Sequence, residues 1–221
     1  MLAAVVPEWL EPAELIQNGG LVLLFLIIFA ESGLLIGFFL PGDSLLFTAG
    51  AVASGALKEL PGMENVHFNI WVLMVGCFIA AVAGDQVGYL IGRKAGPRLF
   101  NRPDSRFFKR EYVDKGTEFF EQHGGRAIIL ARFVPIIRTF VPTIAGVSQM
   151  PYTSFVRYNV IGGFLWGVGV TFLGYQFGKI EFVKNNLEVA ILGVVAISLM
   201  PIVFEVVKAR RHKAARESEP V

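Results

Sequence analysis

Apolar runs set the plan of this chain, and two of them are broken in the same way. From Gly19 to Leu40 the sequence is apolar apart from Glu31 and Ser32; it then meets Pro41 and Gly42 and resumes as an apolar run from Leu45 to Leu57. About 20 apolar residues suffice for a crossing, but a Pro-Gly at membrane depth between two limbs predicts a re-entrant hairpin rather than two spans. Irregular backbone at that depth is tolerated only where it is buried in protein or lines water. Gly125 to Met150 repeats the pattern, with Pro135 and Pro142 interrupting it. Pro41 and Gly42 are therefore the expected tip of one hairpin, and Pro135 and Pro142 that of the other.

Uninterrupted apolar stretches predict spanning helices at Ile70 to Gly92, Phe155 to Gly178 and Leu187 to Val207. Trp71 opens the first of them, as aromatic residues do at a membrane interface. The flanking segments are polar. Residues 10 to 18 read as a short interfacial helix anchored by Trp9 or as a solvated arm, and residues 57 to 69 as a connector. Between Arg93 and Arg126, Phe108, Tyr112 and Phe119 fall near helical spacing, which fits an amphipathic surface helix or a soluble loop.

Composition strengthens the membrane reading. Hydrophobic residues make up 54% of the 221 and charged residues 17%, against roughly 25% charged in soluble domains. Cys77 is the single cysteine and the three histidines are scattered, so neither a disulfide nor a metal site is expected, and no cofactor is implied. Net charge is only +2, but its distribution is uneven. Residues 1 to 57 hold no Lys or Arg, whereas positions 93, 94, 98, 102, 106, 109, 110, 115 and 126 are all basic, and the tail reads KARRHKAAR. The positive-inside rule puts that loop and the tail in the cytoplasm. Hairpin one then enters from the outer face and hairpin two from the inner face. The acidic start, with Glu8, Glu11 and Glu14, lacks the basic region of a secretory leader, and no cleaved leader is expected.

The two halves also match in sequence. Gly88-Tyr-Leu-Ile-Gly-Arg93 ends the first spanning helix, and Gly174-Tyr-Gln-Phe-Gly-Lys179 ends the second. Hairpins that enter from opposite faces make the repeats inverted, as in many secondary transporters with a midplane site. The expected fold class is an all-α integral membrane protein: two inverted repeats, each a re-entrant helical hairpin and a spanning helix, plus a C-terminal transmembrane helix. One membrane domain covers 1–207, with repeat one at about 10–92, repeat two at about 107–179 and the last helix at 187–207; a basic cytoplasmic tail follows at 208–221. Gly84, Gly88, Gly92 and Gly96 recur every four residues, a face for close helix packing inside the chain or in a homo-oligomer.

Charge inside an apolar segment marks candidate chemistry, because it is costly without a partner or a wet cavity. Arg132 and Arg138 flank Pro135, and a guanidinium fork matches phosphate oxygens in pairs. They are candidates for binding a phosphate headgroup; alternatively they neutralise acids as buried structural pairs. Glu31 and Asp43 lie on different limbs of hairpin one and are candidates for proton coupling, since a carboxylate can take up a proton when desolvated. Asp43 also suits a helix N-cap or an arginine counter-ion. For Asp85, a structural pairing with Arg93 or a hairpin cation is preferred. Asn159 and Trp166 read as packing or hydrogen-bonding residues, Tyr89 and Tyr175 as structural, and Arg157 and Lys179 as interfacial anchors.

FAESGLLIGFFLPGDSLL, GDQVGYLIGRKAG and RFVPIIRTFVPTIAGVSQMPYTSF, followed by Asn159, Gly162 and Trp166, resemble the DedA family of bacterial inner-membrane proteins, related to the eukaryotic VTT-domain scramblases. The resemblance covers roughly residues 20 to 180, with Pro-Gly-Asp where the family usually has Pro-Gly-Glu. It implies a lipid translocase of the inner membrane, not an enzyme, that returns undecaprenyl phosphate across the bilayer with proton coupling. The family's functional positions fall on Glu31, Asp43, Arg132 and Arg138. Lipid, protons and the membrane are the implied partners, with no nucleic acid. A phospholipid scramblase, a small-anion transporter and, in another class, an intramembrane lipid phosphatase are the alternatives.

Overall fold

The computed structural model describes residues 12–35, 40–58, 63–100, 118, 120 and 124–180. Trp9, the surface segment around Phe108 and Tyr112, the expected helix at 187–207 and the basic tail lie outside them. All regular structure among the described residues is helical, in the order α1 (Pro12–Gly33), α2 (Gly42–Ala53), α3 (Ile70–Phe100), α4 (Arg126–Ala131), α5 (Pro135–Val147), α6 (Tyr152–Gly163), a π-helical turn at Phe164–Val168, and α7 (Gly169–Phe177).

Two of these helices are long and apolar enough to cross a membrane: Ile70–Ala95, and Tyr152–Phe177, which joins α6, the π turn and α7. The others are shorter. The apolar part of α1 is Gly19–Gly33, with a break near its start at Gly20, whose φ of 56° and ψ of −150° suit glycine far better than an L side chain. At ~1.5 Å per residue, that 15-residue stretch is ~22 Å long and the 12-residue α2 ~18 Å, against a hydrocarbon core of ~30 Å. Each is well short of a crossing.

The breaks have local causes. Pro41 sits at the N-cap of α2, where its missing N–H costs nothing; its carbonyl accepts from the Leu45 N–H at 2.8 Å and the Ser44 hydroxyl at 2.9 Å. Pro135 opens α5, and Val134 before it is extended at φ −108° and ψ 108°, as a residue preceding proline prefers. Pro142 departs from expectation: it lies inside α5, not at a tip. It is buried and packs beside Gly88 of α3, so the neighbouring helix supports the turn that the proline weakens.

Packing ties the two halves together through glycines. The most extensive contacts are α3 with α5, α1 with α3, and α2 with α7. Along the α3–α5 seam, a Cβ on Gly92 would collide with the Thr143 carbonyl, and one on Gly146 with the Tyr89 carbonyl. Along the α2–α7 seam, the same holds for Gly174 against Phe47 and Gly50 against Thr171. Gly84 lies as closely on Phe29 and Gly33 of α1. Backbone thus meets backbone, the approach that small residues permit. The four-residue glycine face is occupied within the chain at Gly84, Gly88 and Gly92. At its end, the buried Tyr89 hydroxyl donates to the Met150 carbonyl at 2.5 Å and its ring stacks on Phe155.

Candidate functional site

Five ionisable residues, one from each of α1 to α5, converge on one centre, in two groups. Arg132 caps the C-terminus of α4 just before the break. Its Nη1 reaches Asp85 Oδ2 of α3 at 2.8 Å and Asn159 Oδ1 of α6 at 3.0 Å, and its Nη2 donates to the Ala81 carbonyl at 3.3 Å. Asn159 in turn donates from Nδ2 to the Val82 carbonyl at 3.1 Å. The Arg132 and Asp85 side chains are 5% and 6% exposed, so this group is sealed. An ion pair so buried persists only if further hydrogen bonds satisfy it, and here α3 and α6 supply them.

Arg138, in the first turn of α5, faces a different setting. Its Nη2 binds Glu31 Oε1 near the end of α1, and its Nη1 binds Asp43 Oδ1 in the first turn of α2 at 2.5 Å. Glu31 is buried; a Cβ on Gly42 would overlap its Oε2, so the glycine of the Pro-Gly makes room for the acid. The Asp43 side chain, by contrast, is 35% exposed. One carboxylate that holds Arg138 is therefore enclosed and the other is partly exposed at the protein surface.

Trp166 joins the groups. It is buried in the π turn; its Nε1–H donates to Asp43 Oδ1 at 2.7 Å, and its ring lies under both guanidiniums, at 4.8 Å from Arg138 Cζ and 5.6 Å from Arg132 Cζ. π turns recur at functional sites because they re-aim one side chain without ending the helix.

All five expected residues thus meet, with a division of labour that the sequence left open. Asp85 pairs with Arg132, a hairpin cation, and not with Arg93, which instead donates to the Tyr89 hydroxyl at 3.3 Å. Asp43 makes no cap bond and serves Arg138. Asn159 and Trp166, expected as packing or hydrogen-bonding residues, bond directly to the charged groups. The available signal for Trp166 was its place mid-helix, far from the interface where tryptophan usually sits. Pro41 and Gly42 lie beside this centre, and Pro135 starts the helix that carries Arg138. Among the described residues, no group of three His, Cys, Asp or Glu could hold a metal ion.

All-helical structure among the described residues, with two crossing-length apolar helices and an ionic centre between short helices, is consistent with a membrane protein. The VTT domain model matches residues 40–176. "Protein DedA" of Escherichia coli (strain K12) is 47% identical over 205 residues, covering 91% of this chain and 90% of DedA. An uncharacterized membrane protein of Mycobacterium leprae is 47% identical over 193 residues, 87% of this chain and 82% of its own. "Inner membrane protein YghB" of Escherichia coli is 35% identical over 164 residues, 74% and 70% of the two chains. No solved structure matches. The chain belongs to the DedA family of VTT-domain membrane proteins.

Proposed function

We propose that this protein is a translocase of the inner membrane for a phosphate-headed lipid, with undecaprenyl phosphate as its substrate and proton uptake as the driving step. One observation carries the reading: Arg138, a group suited to phosphate, is largely enclosed and held by two carboxylates, one of which is partly exposed. A lipid phosphate would replace a carboxylate on the guanidinium fork while its tails stay in the bilayer. Protonation of Asp43 or Glu31 weakens its hold on Arg138 and frees the donors for the phosphate, a shift between two bound states of one arginine. Arg132, held by Asp85, Asn159 and the Ala81 carbonyl, keeps the centre in place in this scheme.

The membrane arrangement that fits is a pair of re-entrant hairpins in inverted repeats. The short α1–α2 and α4–α5 pairs support the hairpins by length. The glycine seams support the repeats: Phe47 and Gly50 meet Gly174 and Thr171 of α7 just as Thr143 and Gly146 meet Gly92 and Tyr89 of α3, with equal spacings on both sides. The distribution of basic residues supports a cytoplasmic loop and C-terminus.

The test is flipping of undecaprenyl phosphate by purified protein in liposomes. Arg138→Ala and Glu31→Gln should abolish it, and wild-type rates in either would reject the site. Release of inorganic phosphate from the same lipid would replace transport with a phosphatase.

A further inference from the structure

Two hydrogen-bond donors share one oxygen at the centre of the site. Asp43 Oδ1 accepts from Arg138 Nη1 at 2.5 Å and from Trp166 Nε1 at 2.7 Å. Arg138 is also the group that the proposed translocation needs to release. If Arg138 were the only partner of Asp43, its departure would leave a partly buried carboxylate without a donor, and that cost would hold the arginine in place. Trp166 removes the difficulty, because its N–H remains on the same oxygen when the guanidinium leaves. The ring contributes separately. Two like-charged guanidiniums lie over it, at 4.8 and 5.6 Å, and the negative face of an indole attracts cations.

We propose that Trp166 is a positioning residue: its indole N–H retains Asp43 so that Arg138 can exchange that carboxylate for a lipid phosphate. This rests on the phosphate-lipid reading above. The π turn is part of the device. It places Trp166 among groups from α2, α4 and α5, while Gly163 and Gly167 on either side leave room for Val82 of α3 and for the α3 backbone at Phe78. The Thr171 hydroxyl donates to the Gly167 carbonyl at 2.7 Å and holds the turn's exit. Trp166 thereby governs headgroup affinity without touching the headgroup.

A double-mutant cycle tests it. Binding of dioleoyl phosphatidate, with dioleoylglycerol as the control lacking phosphate, is measured on the full-length protein in nanodiscs of zwitterionic lipid. Trp166→Phe keeps a ring and removes the N–H. It should weaken phosphatidate binding by up to about tenfold, because the bond exists in both states and only its strengthening once Arg138 leaves counts toward affinity. Asp43→Asn lowers the attraction that competes for Arg138. In that background Trp166→Phe should cost little, because there is no carboxylate left to retain. A packing role would give the same loss in both backgrounds. Equal losses, or no loss in the single variant, overturn the inference. Failure of the wild type to prefer phosphatidate over the glycerol control instead removes the phosphate reading, and this inference with it. If Trp166→Phe does not fold, Trp9→Phe/Trp71→Phe leaves Trp166 as the sole indole. Its emission should then shift with phosphatidate and not with dioleoylglycerol, and unchanged emission overturns the proposal.

Discussion

Arg132 and Arg138 stand six residues apart in one basic pair, yet the fold treats them oppositely. Arg132 is bound by one carboxylate, one amide side chain and backbone carbonyls of α3 and α6, and its group is sealed. Among the described residues Arg138 hydrogen-bonds only to carboxylates, one of them partly exposed, and lies over the Trp166 ring. Backbone carbonyls cannot be protonated or moved without unfolding a helix, whereas a carboxylate can be neutralised or displaced. The first arginine is therefore a fixed strut and the second an exchangeable one, although composition and spacing give them the same appearance.

The largest effect that would break this contrast lies in the sealed group. Asp85→Ala leaves Arg132 buried without its acid and should destabilise the protein by about 3–5 kcal/mol, read as thermal unfolding of the detergent-solubilised chain. Stability close to wild type would make Arg132 exchangeable as well. Replacing each arginine by lysine comes next. Arg138→Lys keeps the charge but not the fork, so transport should fall about tenfold or more at nearly unchanged melting temperature. Arg132→Lys should show the reverse, a loss of about 2 kcal/mol in stability, because an ammonium cannot span Asp85, Asn159 and Ala81 together.

A pair of glycines sharpens the same difference. Gly163→Ala puts a methyl against Val82 beside Arg132 and should cost about 1–3 kcal/mol as overpacking. Gly42→Ala meets first the end of the Glu31 side chain, which can swing aside, so transport should suffer more than the melting temperature. Tyr89→Phe, outside both groups, is the smallest: it loses the bond to Met150 and should cost about 1 kcal/mol with transport intact.

Much of the plan was legible because lipid solvation leaves a coarse signature in sequence. The α3 helix begins at the expected Ile70, and the second long helix ends at Phe177, one residue from the expected Gly178. Glu31, Asp43, Asp85, Arg132 and Arg138 stood out as charges in apolar runs, and all five meet. Which acid serves which arginine was not legible, since pairing depends on how α1, α2 and α3 surround α5. Pro142 was misplaced because a proline has the same sequence signature at a break and inside a supported helix; only packing on Gly88 separates the cases. The Gly-Tyr-x-x-Gly match aligns Gly88 with Gly174, but the seams pair Gly92 with Gly174 in equivalent roles. Glycine every four residues hides the register, since sliding by one turn lays one glycine on the next. The π turn at Trp166 leaves no periodic trace of its own within an apolar run.

The glycine seams also constrain how the molecule can open. Each short helix after a break is fastened, main chain against main chain, to the long helix of the opposite half: α2 to α7 and α5 to α3. Prising the halves apart like a clamshell would peel both joints at once. Because Gly84 and Gly33 fasten α1 to α3 in the same way, movement that spares every joint is left to α4 and the pivots beside Pro41 and Pro135. Spin labels on α2 and α7 should accordingly keep one separation through a transport cycle, while labels spanning either pivot should record two.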